Sequence, residues 1–167
     1  MRQYDRAIAT ELNCLQREPK SFFAHVILGW AYEQKRMFPE AVSELRAAVQ
    51  LASKMPFTLS AYGEALAESG DRRGAIELLA GLKERARTGY VSAYDIALIY
   101  AALGEKNRAF EWLDRAQVER ASFLPYITWD RRADSLRADP RFGELLLRLG
   151  LAQTASSGSP IPATSHR

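Results

Sequence analysis

The feature that most constrains this chain is a step of 34 residues kept by small side chains: Ala7, Ala41, Ala75 and Ala109 stand one step apart. Other positions hold the same register. Leu45, Leu79 and Leu113 do so, as do Tyr32, Leu66 and Tyr100, and Gly29, Gly63 and Ala97. Self-similarity at such a period marks stacked supersecondary units, each unable to bury its apolar face alone and each needing a neighbour. The unit itself is clearest over residues 90–121. Ile96, Ala97, Ile99 and Tyr100 mark one amphipathic helix and Gly104 a turn. Ala109, Leu113 and Ala116, spaced by four and then three, mark a second.

The punctuation agrees with this division. Ser21 is placed to N-cap a helix reaching about residue 35, and Pro39 suits the first turn of its partner, which runs to about residue 51. Residues 56–69 and 72–87 form the next pair, separated by Gly70-Asp71. Ser92-x-x-Asp95 opens the following pair and is similar to a capping box with Asp in place of Glu. Residues 1–20 read as a lone second helix, apolar along Ala7, Ile8, Leu12 and Leu15 and followed by Pro19.

These residues resemble the tetratricopeptide repeat (TPR) family. One repeat is carried by Leu28, Gly29, Tyr32, Ala41, Leu45 and Ala48, the next by Tyr62, Gly63, Ala75 and Leu79, and a third by Ala97, Tyr100, Ala109, Leu113 and Ala116. His25, Leu59 and Ala93 stand where the family often has Trp, Leu82 where it favours Ala, and Glu11 in a usually apolar slot. The stretch LRADPRFGELLLRLGL is similar to the ending of bacterial TPR arrays that follow kinase, cyclase or winged-helix modules in larger signalling proteins. The resemblance implies an all-α fold, a right-handed α-solenoid of antiparallel helix pairs with a C-terminal capping helix. The expected divisions are an incomplete first repeat (1–20), repeats at 21–55, 56–89 and 90–121, a non-repeat cap (122–151) and a disordered tail (152–167) rich in Ser and Pro.

An array that opens in mid-repeat leaves an apolar edge, and solenoids cover such edges. Upstream sequence, or self-association through that edge, is therefore expected. At the other end the stripe Phe142, Leu145 or Leu146, and Leu149 predicts a helix over 140–149 with Arg141, Glu144 and Arg148 facing water. Phe142 is expected to pack near Phe110, Leu113 or Val118, with residues 124–129 as a short helix or turn bridging to it.

Composition enters mainly through what it excludes. The 167 residues, 47% hydrophobic and 26% charged, suit a globular domain with a sizeable core. A net charge of +3 does not by itself imply a polyanionic partner, although 18 of the 23 basic residues are Arg. The single cysteine, Cys14, permits no intrachain disulfide and fits a small-residue packing slot. The N-terminal residues MRQYDRAIATEL break every apolar run with charge, and residues 96–103 are too few to span a bilayer. A cytoplasmic location is expected.

Catalytic, cofactor-binding and metal-binding sites are not expected. His25 sits in a packing slot and His166 in the tail, neither paired at metal-ligand spacing. Glu64 and Glu68 lie four apart on one helix face, as solvated carboxylates usually do. A surface remains. The first helices of TPR pairs line a groove that holds peptides, and the side chains off the packing slots are Phe23, Val26, Trp30, Glu33 and Gln34, then Phe57, Ser60, Glu64 and Glu68, then Val91, Tyr94, Asp95 and Leu98. The Lys, Asn and Arg with which TPR proteins clamp an acidic tail are missing there. An aromatic and acidic groove should prefer apolar or basic peptides. The expected function is a non-enzymatic protein-binding scaffold, the C-terminal part of a larger bacterial signalling or regulatory protein. The alternative, from the Arg content, is a helical-repeat nucleic-acid binder, which a basic groove would favour. No membrane partner is expected.

Overall fold

Eight helices follow one another in the computed structural model, which describes residues 2–53 and 55–151. They are α1 (Arg2–Arg17), α2 (Phe22–Gln34), α3 (Phe38–Leu51), α4 (Pro56–Glu68), α5 (Arg72–Thr88), α6 (Ala93–Ala102), α7 (Lys106–Val118) and α8 (Pro140–Arg148). Two 3₁₀ segments, Leu124–Tyr126 and Arg131–Leu136, lie between α7 and α8. Among the described residues there is no strand. The tail expected to be disordered lies outside the described residues.

Local chemistry sets most helix starts. The Ser21 hydroxyl accepts from Ala24 N at 3.4 Å, the Asp71 carboxylate from Gly74 N at 2.9 Å and the Asp139 carboxylate from Arg141 N at 3.1 Å. Prolines stand in the first turn of α3, α4 and α8, where a missing N–H costs nothing. The expected capping box at α6 does not form. Ser92 makes no side-chain cap, and Asp95 is buried in the interior, 7% exposed. Aspartate is one methylene short of the reach that Glu uses to return to the cap.

Consecutive helices pack against their neighbours, and α2, α4 and α6 also touch one another as an inner row. Two glycines permit the close crossings. A Cβ at Gly29 would lie 2.4 Å from Leu45 Cγ, and one at Gly63 would lie 2.9 Å from Leu78 Cδ2 and 3.0 Å from Ile99 Cδ1. Those slots admit hydrogen and little else, which is why the register of small residues is kept. The turn after α4 and the turn after α6 are closed by Gly70 and Gly104 with positive φ. Arg36, at φ 59°, holds the same place after α2.

The C-terminal half of the core is the larger. Residues 93–101 are buried throughout, and Phe110, Leu113, Leu124, Ile127, Ala133, Leu136, Phe142 and Leu145 pack around them. Phe142 therefore lies in one apolar cluster with Phe110 and Leu113. Val118 is 84% exposed and takes no part, because it projects from the last turn of α7 away from α8. Arg141 bridges the two helices, its guanidinium 4.3 Å from the Phe110 ring and donating to Asn107 at 3.0 Å, while Arg148 pairs with Asp114. The bridge expected over 124–129 continues to Leu136 and is two 3₁₀ pieces in place of one helix. Helices α3, α5, α7 and α8 begin at residues 38, 72, 106 and 140, so α8 keeps the spacing although its small residues do not.

Candidate functional site

One side chain organises the inner row. Trp30, Glu64, Leu98 and Arg132 stand one 34-residue step apart, on α2, α4, α6 and the second 3₁₀ segment. The Arg132 guanidinium donates to Asp130 at 2.9 Å and 2.7 Å and to Glu64 at 3.3 Å and 3.4 Å, and lies 5.4 Å from the Trp30 ring centroid. Asp130 in turn accepts from the Tyr94 hydroxyl at 2.8 Å. Its neighbour Arg131 reaches the hydroxyl of Tyr4 on α1. Residues 130–132 thus cross the row, tying α6, α4, α2 and α1 together.

Burial dominates the electrostatics. Glu33 is pushed up to about 8 by burial and then by Glu68, with Arg132 opposing, and its Oε1 is a buried oxygen without a hydrogen-bond partner. The indole N–H of Trp30 is unpartnered as well. Burial holds Glu64 well above the ordinary carboxylate range in spite of Arg132, and raises Asp95 to about 6 against the same opposing charge. Burial alone would raise Asp130 too, but hydrogen bonds from Arg132 and Tyr94 bring it below its ordinary value. Burial works against the charge on Arg132, yet Glu64 and Asp130 raise its pKa above the usual guanidinium value. A single guanidinium therefore faces Glu33, Glu64, Asp95 and Asp130.

Two cavities flank this network. A polar one of about 400 Å³ is lined by Glu33, Gln34, Glu64, Glu68, Leu98, Arg36, Arg131 and Arg132. An apolar cleft of about 440 Å³ lies at the start of α2 and α4 and the approach to α6, and is lined by Phe22, Phe23, Met55, Phe57, Tyr90, Asp95 and Phe123. The residues expected in one groove are thereby divided. Glu33, Gln34, Glu64, Glu68 and Leu98 meet at the polar cavity, and Phe23, Phe57 and Asp95 at the cleft. Trp30 is half-buried beneath Arg132, its ring edge-to-face with Phe57 at 5.5 Å. Val26, Ser60 and Tyr94 are wholly buried and present no surface, and Val91 nearly so. The inner helices pack closely enough to absorb them, and the Ser60 hydroxyl turns back to Phe57 O at 3.0 Å.

Reading helices alone missed Tyr90, Phe123, Asp130, Arg131 and Arg132. For Arg132 a signal existed, since it falls one step beyond Leu98. For Tyr90 and Phe123, both in connecting segments, there was none beyond their aromatic character. Among the described residues no group of three or more His, Cys, Asp or Glu is placed to hold a metal ion. His25 faces Glu44, Nδ1 to Oε2 at 2.6 Å, across α2 and α3. No helix of the described residues is long and apolar enough to cross a membrane. No family model matches the chain, and no curated protein matches it.

Proposed function

We propose that this protein is a right-handed solenoid of the tetratricopeptide type and works as a non-enzymatic protein-binding scaffold. The observation that carries this reading is the pairing of the two cavities. One is lined by carboxylates and guanidiniums together, Glu33, Glu64, Glu68 and Asp134 with Arg36, Arg131 and Arg132, and the other is walled by exposed aromatic side chains beside Asp95. Phe23, Tyr90 and Phe123 are 54%, 67% and 60% exposed around a single cleft, and clustered apolar exposure of this kind marks interaction surfaces. An extended peptide with a large apolar residue and a basic residue close together matches the aromatic cleft and its carboxylate, Asp95.

The step kept by α3, α5, α7 and α8 supports the repeat assignment. On this reading the chain serves as the C-terminal part of a larger bacterial regulatory protein and acts in the cytoplasm. The test is selection of a random peptide display library on the described chain. Enrichment of sequences with Lys or Arg beside an aromatic or aliphatic residue, lost with Phe123→Ala, is the expected result. Enrichment of acidic sequences, or of none, overturns the proposal. Retention of labelled single-stranded RNA with a steep salt dependence would favour a nucleic-acid binder in its place.

A further inference from the structure

The apolar cleft has a carboxylate at its base that the fold leaves unanswered. Asp95 is 7% exposed and lines the cleft, yet it makes no hydrogen bond and no ion pair with any described residue. The nearest cation, Arg132, is committed to Asp130 and Glu64. A carboxylate this desolvated is costly, and a cation arriving in the cleft would offset that cost. Around it stand Phe23 in the first turn of α2, Phe57 in the first turn of α4, and Tyr90 and Phe123 in the segments before α6 and after α7. Aromatic faces attract a cation through their quadrupole, most strongly once water is excluded. Two attractions of one sign thus converge on a single space, the aromatic walls and the carboxylate behind them. A neutral apolar ligand would use only the walls, and an anion would meet Asp95.

We propose that this cleft is a recognition site for an alkylammonium group, namely the lysine side chain of the peptide partner, with its methylenes against the aromatic rings and its ammonium on Asp95. The inference rests on the scaffold reading and specifies the residue that the cleft takes. An ammonium suits the site better than a guanidinium. It is compact and carries its donors on one atom, so it can meet Asp95 without the fixed orientation that the planar fork of arginine requires. Its four-carbon stem is long enough to cross an aromatic rim and bury its methylenes there.

The experiment uses small probes, so that it stands apart from peptide selection. Hexylammonium, hexanol and hexanoate are titrated in turn into isotope-labelled protein, and amide and aromatic shifts are followed. The expected result is hexylammonium binding in the millimolar range, about tenfold tighter than hexanol, with shifts centred on residues 90–95 and 122–123, and hexanoate weaker than both. Asp95→Asn should remove the preference for the ammonium and leave hexanol binding unchanged. Phe123→Ala and Tyr90→Ala, both at exposed positions that the fold does not need, should weaken all binding. Equal affinity for hexanol and hexylammonium, an undiminished preference in Asp95→Asn, or no binding of any probe would each overturn the site. Peptide selection that succeeds while the probes fail would leave the scaffold reading standing without it.

Discussion

Replacing Arg132 by Met tests how the inner row is held. The side chain is 22% exposed, whereas its partner Glu64 is 4% exposed. Methionine keeps much of the volume and the contact with Trp30 but removes the guanidinium that pairs with Asp130 and Glu64. Breaking a buried ion pair by deleting one partner costs about 3–5 kcal/mol, because the other charge stays behind. The partial exposure of the guanidinium places the cost at the lower end, about 3 kcal/mol, equivalent to a fall of roughly 6–12 °C in Tm for a domain of this size. The pH dependence identifies the cause. Glu64 has a folded pKa above its unfolded value, so the stability it permits is present at low pH and lost as pH rises between the two. Without Arg132 that loss deepens. The deficit of the variant should not be smaller at pH 8 than at pH 5, because any Glu64 that ionises as pH rises does so without its counter-charge. It should not vanish, because Asp130, lowered by Arg132 and Tyr94, still loses its partner. Urea denaturation followed by far-ultraviolet circular dichroism at the two pH values is the assay. Adding Glu64→Gln to Arg132→Met should recover about 1–2 kcal/mol at pH 8. A deficit under about 1 kcal/mol at pH 8, or one clearly larger at pH 5 than at pH 8, would refute the reasoning.

Other expectations are independent of that one. Glu33→Gln should stabilise the protein by about 2–4 kcal/mol at pH 8 and by almost nothing at pH 4, since Glu33 titrates at about 8 when folded and near 4.5 otherwise. Melting curves across that range check it. Gly29→Ala should cost about 1–3 kcal/mol through its collision with the buried Leu45, seen as a lower denaturation midpoint with unchanged m. Phe142→Ala should cost about 3–5 kcal/mol by equilibrium unfolding, as for other buried phenylalanines. Arg36→Gly should raise stability by about 1 kcal/mol in the same assay, because only that residue type enters the left-handed region without strain.

Much of the fold was legible because it is written in short-range periodicity. Gly29, Ala41, Leu45 and their counterparts recur where the helices cross, and steric exclusion at those crossings permits few alternatives. Ser21 and Asp139 act within three residues of themselves, so the caps could be read directly. The segment 122–136 was not legible in the same way. Its 3₁₀ pieces are too short to show a period, and its inward residues Leu124, Ile127, Ala133 and Leu136 fit neither helical nor strand spacing. The site suffered more. Glu64 and Arg132 are separated by 68 residues, and nothing local in either residue names the other. Asp95 looked like part of a cap because its neighbours resembled one, and only burial reveals that it faces the interior.

The segment 122–136 lies where a further first helix of the array would lie, against α6, and it adds charged contacts to apolar packing. A following helix would have brought its own small and apolar residues to the row. This segment brings Leu124, Ile127, Ala133 and Leu136 to the core and, beyond them, Arg132 to Glu64 and Trp30, Asp130 to Tyr94, and Ser135 to Ala101 O at 3.4 Å. Ending the inner row this way has a consequence for binding. The face that a longer array would use to continue is closed by an ion-pair network whose carboxylates outnumber its cations. The excess acid is displaced to the two sides, Glu33 and Glu68 at the polar cavity and Asp95 at the cleft. Desolvation makes buried acid unfavourable in the free protein, and on the proposed reading a cation in the cleft relieves it for Asp95. On the proposed scaffold reading, the residues that close the inner row also set the sign of the charge bound.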